Sequence, residues 1–326
     1  MREATSAWSD RVRAAARLLI SAGLLYLLLR QVDWRAFAAL WPRLQWRWLL
    51  LALALQALGF WLSARRWQVV LQDLGLHEPL SRLLYWNLLS FFWKHFLPTT
   101  VGGDGYRFWR AQARHPERRA AVFTSIFLDR LYGYLALLGV HFVLLGGVGK
   151  TILARQRGLA LLEGLIGAGA AVLGVLVALW RGRRLVQNPR VPPWLRPWLA
   201  RGQGVVDLIW GRSRSAWARA LAYSALFVLT NGTMLWAYLR VAGARPPWLP
   251  VAYASTLAAV LGALPVTING LGLTEGALVV ALTPIGLTRE QVLLAAFLLR
   301  GVNLLIGLAG GLLYGLEGLL PREQRP

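Results

Sequence analysis

Long apolar runs alternate with short arginine-rich connections along the 326 residues of this chain. A bilayer core about 30 Å thick is crossed by roughly 20 helical residues. Runs that meet or approach that length have their apolar bodies at 18–29 (starting near Val12), 48–63, 80–97, 120–148, 160–180, 221–239 and 248–264, and a last one runs from Thr288 to about Leu316. Segment 274–285 is too short to cross, since twelve residues at 1.5 Å each span only about 18 Å, and it reads as a half-helix. Segment 33–47 spaces Trp34, Phe37, Leu40, Trp41 and Leu44 near the helical period with arginines between them, the pattern of an amphipathic helix lying in the membrane interface. The first run is followed by Arg30-Gln31-Val32-Asp33-Trp34 rather than a small-residue cleavage site, so it is expected to persist as an uncleaved helix. Thr288-Arg289-Glu290-Gln291 has the form of a capping box opening the last helix.

Two of these runs are interrupted in the same way. Leu97-Pro98-Thr99-Thr100-Val101-Gly102-Gly103-Asp104-Gly105 and Leu264-Pro265-Val266-Thr267-Ile268-Asn269-Gly270-Leu271-Gly272 align without a gap and are identical at five of nine positions. A Leu-Pro step stops a helix because proline lacks an N–H and clashes with the preceding turn, and the glycines then permit backbone that side-chained residues avoid. Corresponding interruptions in the two halves of a membrane protein point to a substrate site between internal repeats. The expectation is therefore an all-α polytopic membrane protein with about eight membrane helices and two re-entrant or broken-helix segments, forming a two-half internal repeat. It is read as one integral membrane domain over residues 1–326, with broken motifs at 97–107 and 264–276 joined by a connection at 181–219.

Composition agrees with that class: 57% of residues are hydrophobic and only 15% are charged. There is no cysteine, which removes disulfides, thiolate metal sites and cysteine nucleophiles. The net charge of +22 would suggest nucleic acid in a soluble chain. Here the arginines lie between apolar spans, where the positive-inside rule and anionic lipid headgroups account for them, so lipid and not nucleic acid is the expected partner. The rule is satisfied with the N-terminus on either side, and both arrangements place residues 106–119 and 181–219 in the cytoplasm.

Ionisable residues within apolar spans are costly and usually face the bundle interior. They are Lys94, His95, Asp129, Arg130, Glu275 and Arg300. A purely structural ion pair, such as Asp129 with Arg300, is one reading; a site is the other. Lone His141 reads as a satisfied bundle histidine. The backbone N–H groups of Gly102, Gly103 and Asp104, and of Gly270, Leu271 and Gly272, would point from a helix start into each break, where they favour an anion. With Lys94, Arg107, Arg130 and Arg300 as cationic partners, a phosphodiester on an acyl or polyprenyl tail fits better than a neutral sugar. Asp104 and Glu275 would orient those cations or carry protons. Gly146-Gly147-Val148-Gly149-Lys150-Thr151 imitates the end of a P-loop, but Leu144 stands where the first glycine is required. No hydrolase or metalloenzyme motif is present, so no cofactor and no metal are expected.

The run from Phe96-Leu97-Pro98 through Gly102-Gly103-Asp104 to Arg107, the later Asp129-Arg130, and Leu264-Pro265 through Asn269-Gly270-Leu271-Gly272 to Glu275-Gly276 resemble the signature of the lysylphosphatidylglycerol synthase transmembrane-region family. That family includes the flippase domain of the bacterial multiple peptide resistance factor. Arg66-Trp67, Arg300 and Gly310-Gly311 also fall where the resemblance places them. It implies a multi-pass protein of the bacterial inner membrane that moves anionic or modified lipids between leaflets, with Lys94, Gly102, Gly103, Asp104, Arg107, Asp129, Arg130, Asn269, Gly270, Gly272, Glu275 and Arg300 as the candidate headgroup site. It implies no catalysis, because the aminoacyl-transferase domain of two-domain members is not expected in a chain ending at Pro326. Phospholipids, polyprenyl-phosphate sugars and hopanoid-type lipids are the candidate cargoes, and a homodimer is compatible with a site contained in one chain. Two other classes stay open: a membrane-embedded transferase using Asp104 or Glu275 as general base, and a non-transporting scaffold.

Overall fold

The computed structural model describes residues 32–96, 102–152, 157–181, 213–264 and 266–319, with Gly211 and scattered positions between 23 and 30. Most of the 18–29 run, motif residues 97–101, Pro265 and most of the 181–219 connection lie outside the described residues. Among the described residues every regular element is helical: α1 (Trp34–Leu40), α2 (Arg47–Asp73), α3 (Leu80–Phe96), α4 (Gly102–Arg114), α5 (Arg119–Ile152), α6 (Arg157–Arg181), α7 (Arg214–Val241), α8 (Trp248–Gly262), α9 (Leu273–Leu282) and α10 (Arg289–Leu319). Short 3-10 turns occupy Trp41–Arg43, Pro116–Arg118, Ile268–Gly270 and Thr283–Ile285.

Five stretches are long and apolar enough to cross a bilayer: Arg47–Asp73, Pro116–Val148, Arg214–Val241, Ile268–Ile285 and Arg289–Leu316. The fourth is not continuous helix, because Asn269 sits at φ 50° and Gly270 and Gly272 also have positive φ. The uninterrupted α-helical part is the ten residues of α9. The outward surface is apolar, with Val143, Leu50, Leu161 and Leu312 each more than 70% exposed. Such residues cover a lipid-facing surface, since within hydrocarbon the helix must satisfy its own backbone and needs only apolar side chains outside.

The order α2–α3–α4–α5 is matched by α7–α8–α9–α10, each half running long, short, short, long. The long helices end alike. Gly75 and Gly243 both adopt positive φ, and Leu76 N–H and Ala244 N–H donate back to the carbonyls of Leu71 and Leu239, the closure of a Schellman cap. Pro79 and Pro247 then open the next helices. The broadest packing is between α2 and α7, and α10 lies along α3. A main core gathers residues of α7, α8, α9 and α10 around Tyr238, Tyr253 and Leu257, and a second one gathers Trp67, Trp86 and Leu83 between α2 and α3.

Several boundaries differ from the sequence reading. The second span does not stop at Arg65-Arg66: α2 runs to Asp73, because arginine is a good helix former and Arg66 is turned inward to a carboxylate. Segment 106–119 is mostly helix, with Tyr106 and Arg107 buried in α4. Helix α7 starts at Arg214, seven residues ahead of the apolar body. The interfacial helix is shorter than 33–47: Asp33 caps α1 by accepting from the N–H groups of Arg35 and Ala36, and Pro42 tightens the following turn. Trp34, Trp41 and Trp46 are about half exposed there, as interfacial tryptophans are. The segment is nonetheless tied down. Gln45 N–H donates to Val241 O at 2.9 Å, and Leu44 is buried with Val241, Ala242 and Leu294. The capping box forms as expected, Gln291 N–H donating to Thr288 Oγ1 and Thr288 N–H to Gln291 Oε1, both at 3.2 Å.

Candidate functional site

After each motif comes a short helix whose first turn carries an acid, Asp104 in α4 and Glu275 in α9, where the positive end of the helix favours a carboxylate. Each acid meets an arginine from the long helix that follows. Arg130 of α5 donates through Nε to Asp104, and Arg300 of α10 donates through Nε to Glu275. The acids are covered and the arginines less so: side-chain exposure is 15% for Asp104 against 39% for Arg130, and 3% for Glu275 against 27% for Arg300. Each guanidinium is thus partly exposed, while its charge is held in place from behind by a covered carboxylate.

The second break is described in most detail. Gly272 N–H donates to Glu275 Oε2 at 2.8 Å, Leu271 N–H to Ile268 O at 3.0 Å, and Arg300 Nη2 to Thr274 Oγ1 at 2.8 Å. In this conformation the N–H groups of Leu271 and Gly272, expected from the sequence to face the break, are satisfied inside the motif. Asn269 Nδ2 donates to the carbonyl of Lys94 at 3.3 Å, so the second break touches the end of α3 just before the first. The Lys94 side chain is exposed, its ammonium 5.5 Å from the centre of the Phe91 ring. Of His95 only the backbone is described. Gly103 lies against α3, where a Cβ would stand 2.9 Å from Ser90 O.

Gly270 has the tightest requirement in the motif, with φ +70° and a Cβ position 2.8 Å from Thr274 Cγ2. Gly270→Ala is expected to cost over about 1 kcal/mol through strain alone and to lower the unfolding temperature of the purified protein in detergent; an unchanged melting curve would contradict this geometry.

Asp129 and Arg300, one candidate structural pair, do not meet. Asp129, 1% exposed, instead accepts from Arg66 Nε at 2.7 Å and from Arg107 Nη2 at 3.0 Å. The Arg107 guanidinium lies 3.9 Å from the Trp67 ring centre and 3.6 Å from Asp104 Oδ1. This joins α2, α4 and α5 and extends to α7 through Arg66 and Ser224 Oγ at 3.5 Å. Arg66 is not among the intramembrane charges expected from the sequence. It follows the apolar body of α2 and reads there as a helix end; its one sequence signal was the Arg66-Trp67 pair. Four arginines (66, 107, 130 and 300) thus face three carboxylates (Asp104, Asp129 and Glu275), which leaves the assembly cationic.

A cavity borders each break. One of about 370 Å³ is lined by Trp93, Gly102, Gly105, Tyr106, Trp109 and Tyr314. The other, about 280 Å³ and almost wholly apolar, is lined among others by Leu159, Leu162, Leu257, Leu261, Gly272 and Gly276. Among the described residues no cluster of histidine and carboxylate has a metal-binding arrangement. Residues 146–151, the P-loop imitation, are part of α5 and form no phosphate loop.

His141 is not alone. It bonds Glu163, the sole acid of α6, which was absent from the list of intramembrane charges although it falls within the 160–180 run.

Compared with known protein families, residues 14–311 match the model described as lysylphosphatidylglycerol synthase TM region. Comparison with curated proteins gives no match.

Proposed function

Because the chain belongs to the lysylphosphatidylglycerol synthase TM-region family, a multi-pass membrane family whose role concerns lipids, we propose that it is a flippase or scramblase that moves an anionic lipid headgroup past the two breaks. The observation that carries this reading is the pairing of Arg130 with Asp104 and of Arg300 with Glu275, each arginine partly exposed beside a glycine break and each acid covered behind it. A phosphodiester can accept from such a guanidinium, and the excess of arginine over carboxylate compensates its charge. The apolar cavity against Gly272 and Gly276 gives an acyl chain a place beside the second break. The matching helix order and matching Schellman caps support reading the halves as an internal repeat, with the site at its centre as in transporters built on broken helices.

The test is leaflet exchange in liposomes holding the purified protein and a fluorescent anionic phospholipid, followed by dithionite quenching. Wild type is expected to speed exchange. Glu275→Gln and Arg300→Ala, each shown to be folded, are expected to lose at least about tenfold of that rate, the scale of one charge-assisted contact worth about 1.4 kcal/mol. Wild-type liposomes indistinguishable from empty ones, with a polyprenyl-phosphate probe as well as the phospholipid, would overturn the reading. Folded variants that exchange at the wild-type rate would remove these residues from the site.

A further inference from the structure

The cavity beside the first break is walled by aromatic rings. Trp93 comes from the end of α3, Tyr106 and Trp109 from α4, and Tyr314 from α10, with Gly102 and Gly105 among them. The four residues from α4 stand at the spacing i, i+3, i+4 and i+7, which places them on one face of that helix. The Trp93 and Tyr106 rings are nearly parallel, 20° apart with centres separated by 6.4 Å, and Tyr314 meets both close to a right angle, at 5.6 Å and 6.0 Å. Trp109 continues the wall 5.9 Å from Tyr106 and is half exposed, so the wall reaches the outside. The volume, about 370 Å³, is that of a small-molecule site, which begins at about 300 Å³.

Ring packing accounts for the aromatic contacts but not for Gly105. Glycine is a poor helix former, and a Cβ at this position would meet nothing within 4 Å. Gly105 thus leaves open a space on the ring-lined face that any other residue would enter.

Two kinds of group settle on aromatic faces: a cation, and the C–H face of a saturated ring, whose hydrogens are weakly positive. The charges beside this cavity decide between them. Arg110 already lies over the Trp109 ring at 5.7 Å. None of the lining residues is acidic, and Asp104, the one acid of α4, is engaged by Arg130 and Arg107. An ammonium group would enter against cations with no carboxylate to meet it. An uncharged ring carries no such penalty, and a phosphate attached to it is drawn to the same arginines.

We propose that the aromatic cavity at the first break is the subsite for a cyclic polyol, an inositol or hexose ring, carried on the phosphodiester of the lipid headgroup. This names the headgroup class of the transport reading above and rests on that reading for a phosphate beside Arg130. A glycerol headgroup is an open chain without a flat C–H face and gains little from the rings. The cavity at the second break has no aromatic residue in its lining and offers no such face.

The test is equilibrium binding of short-chain probes to the purified wild-type protein in amphipol, which carries no sugar of its own, by isothermal titration calorimetry. Dibutanoyl phosphatidylinositol and citronellyl phosphoryl glucose bear a ring; dibutanoyl phosphatidylglycerol and phosphatidylcholine bear an open chain and an ammonium group. A ring-bearing probe is expected to bind at least about tenfold tighter than phosphatidylglycerol, the scale of stacking on one or two rings, and the probe that does so identifies the carrier of the ring. Trp109→Ala removes the exposed wall and Gly105→Leu fills the open space; in each variant, once melting shows it to be folded, the ratio is expected to fall toward one. Wild type that binds no ring-bearing probe more tightly than phosphatidylglycerol, tightest binding of phosphatidylcholine, or an unchanged ratio in a folded variant would overturn the proposal. A ring preference without leaflet exchange in liposomes would fail the transport reading alone, and exchange without a ring preference would fail this subsite alone.

Discussion

Asp129→Asn is expected to destabilise the protein by about 3–5 kcal/mol and to leave little folded material. The scale is that of removing one partner from a buried ion pair. Asp129 is the single carboxylate between Arg66 and Arg107, whose side chains are 11% and 8% exposed, and Arg107 also lies on Trp67. Asparagine keeps the shape but leaves two guanidinium groups in an apolar interior with one neutral oxygen between them. Tryptophan-fluorescence melting and gel filtration in detergent would check this. The companion variant Arg66→Met/Arg107→Met/Asp129→Leu should recover part of the loss, because replacing every member by apolar groups leaves no uncompensated charge. If Asp129→Asn melts like wild type, the three-residue network is not holding α2, α4 and α5 together.

The contact between α3 and α10 gives the second large effect, and it separates two adjacent glycines. A Cβ on Gly310 would lie 2.7 Å from the carbonyl oxygen of Leu88, a backbone atom of α3 that cannot turn aside. A Cβ on Gly311 would lie 2.5 Å from the ring of Phe92, a side chain that can rotate. Alanine improves an ordinary helical glycine by about 1 kcal/mol, while overpacking costs about 1–3 kcal/mol. At Gly310 the clash should win, so that Gly310→Ala lowers the melting temperature by several degrees and Gly310→Val prevents folding. At Gly311 the two terms should nearly cancel for alanine. The same melting series decides it; equal behaviour at both positions would mean that the helices separate freely.

The helices were legible where one segment carries its own signal. The apolar runs gave α3, α5, α8 and α10 within a few residues, Thr288 and Gln291 announced their capping box, and the Asn269–Gly272 stretch announced a break. Partners were not legible, because a sequence records charge but not which charge is near. Asp129 could have met any intramembrane arginine, and only the packing of α2 against α5 and α7 brings Arg66 to it. Arg66 and Glu163 were hidden for a related reason. Each stands near the end of an apolar run, where a charge is expected to reach water, and each is instead turned inward to a partner on another helix. The charges inside the apolar runs were thus readable one by one, while their pairing was not.

The way Val32 and Leu44 are placed has a consequence for how the chain assembles. Val32 is buried in the main core with Tyr253 and Leu293, and Leu44 packs on Val241, Ala242 and Leu294. A segment early in the chain is therefore packed against helices much later in it. Contacts between residues this far apart in sequence close slowly, since the chain between them must be ordered before they form. Insertion of the helices one after another does not by itself complete this packing: the 32–44 segment stays uncovered until α7, α8 and α10 are in place.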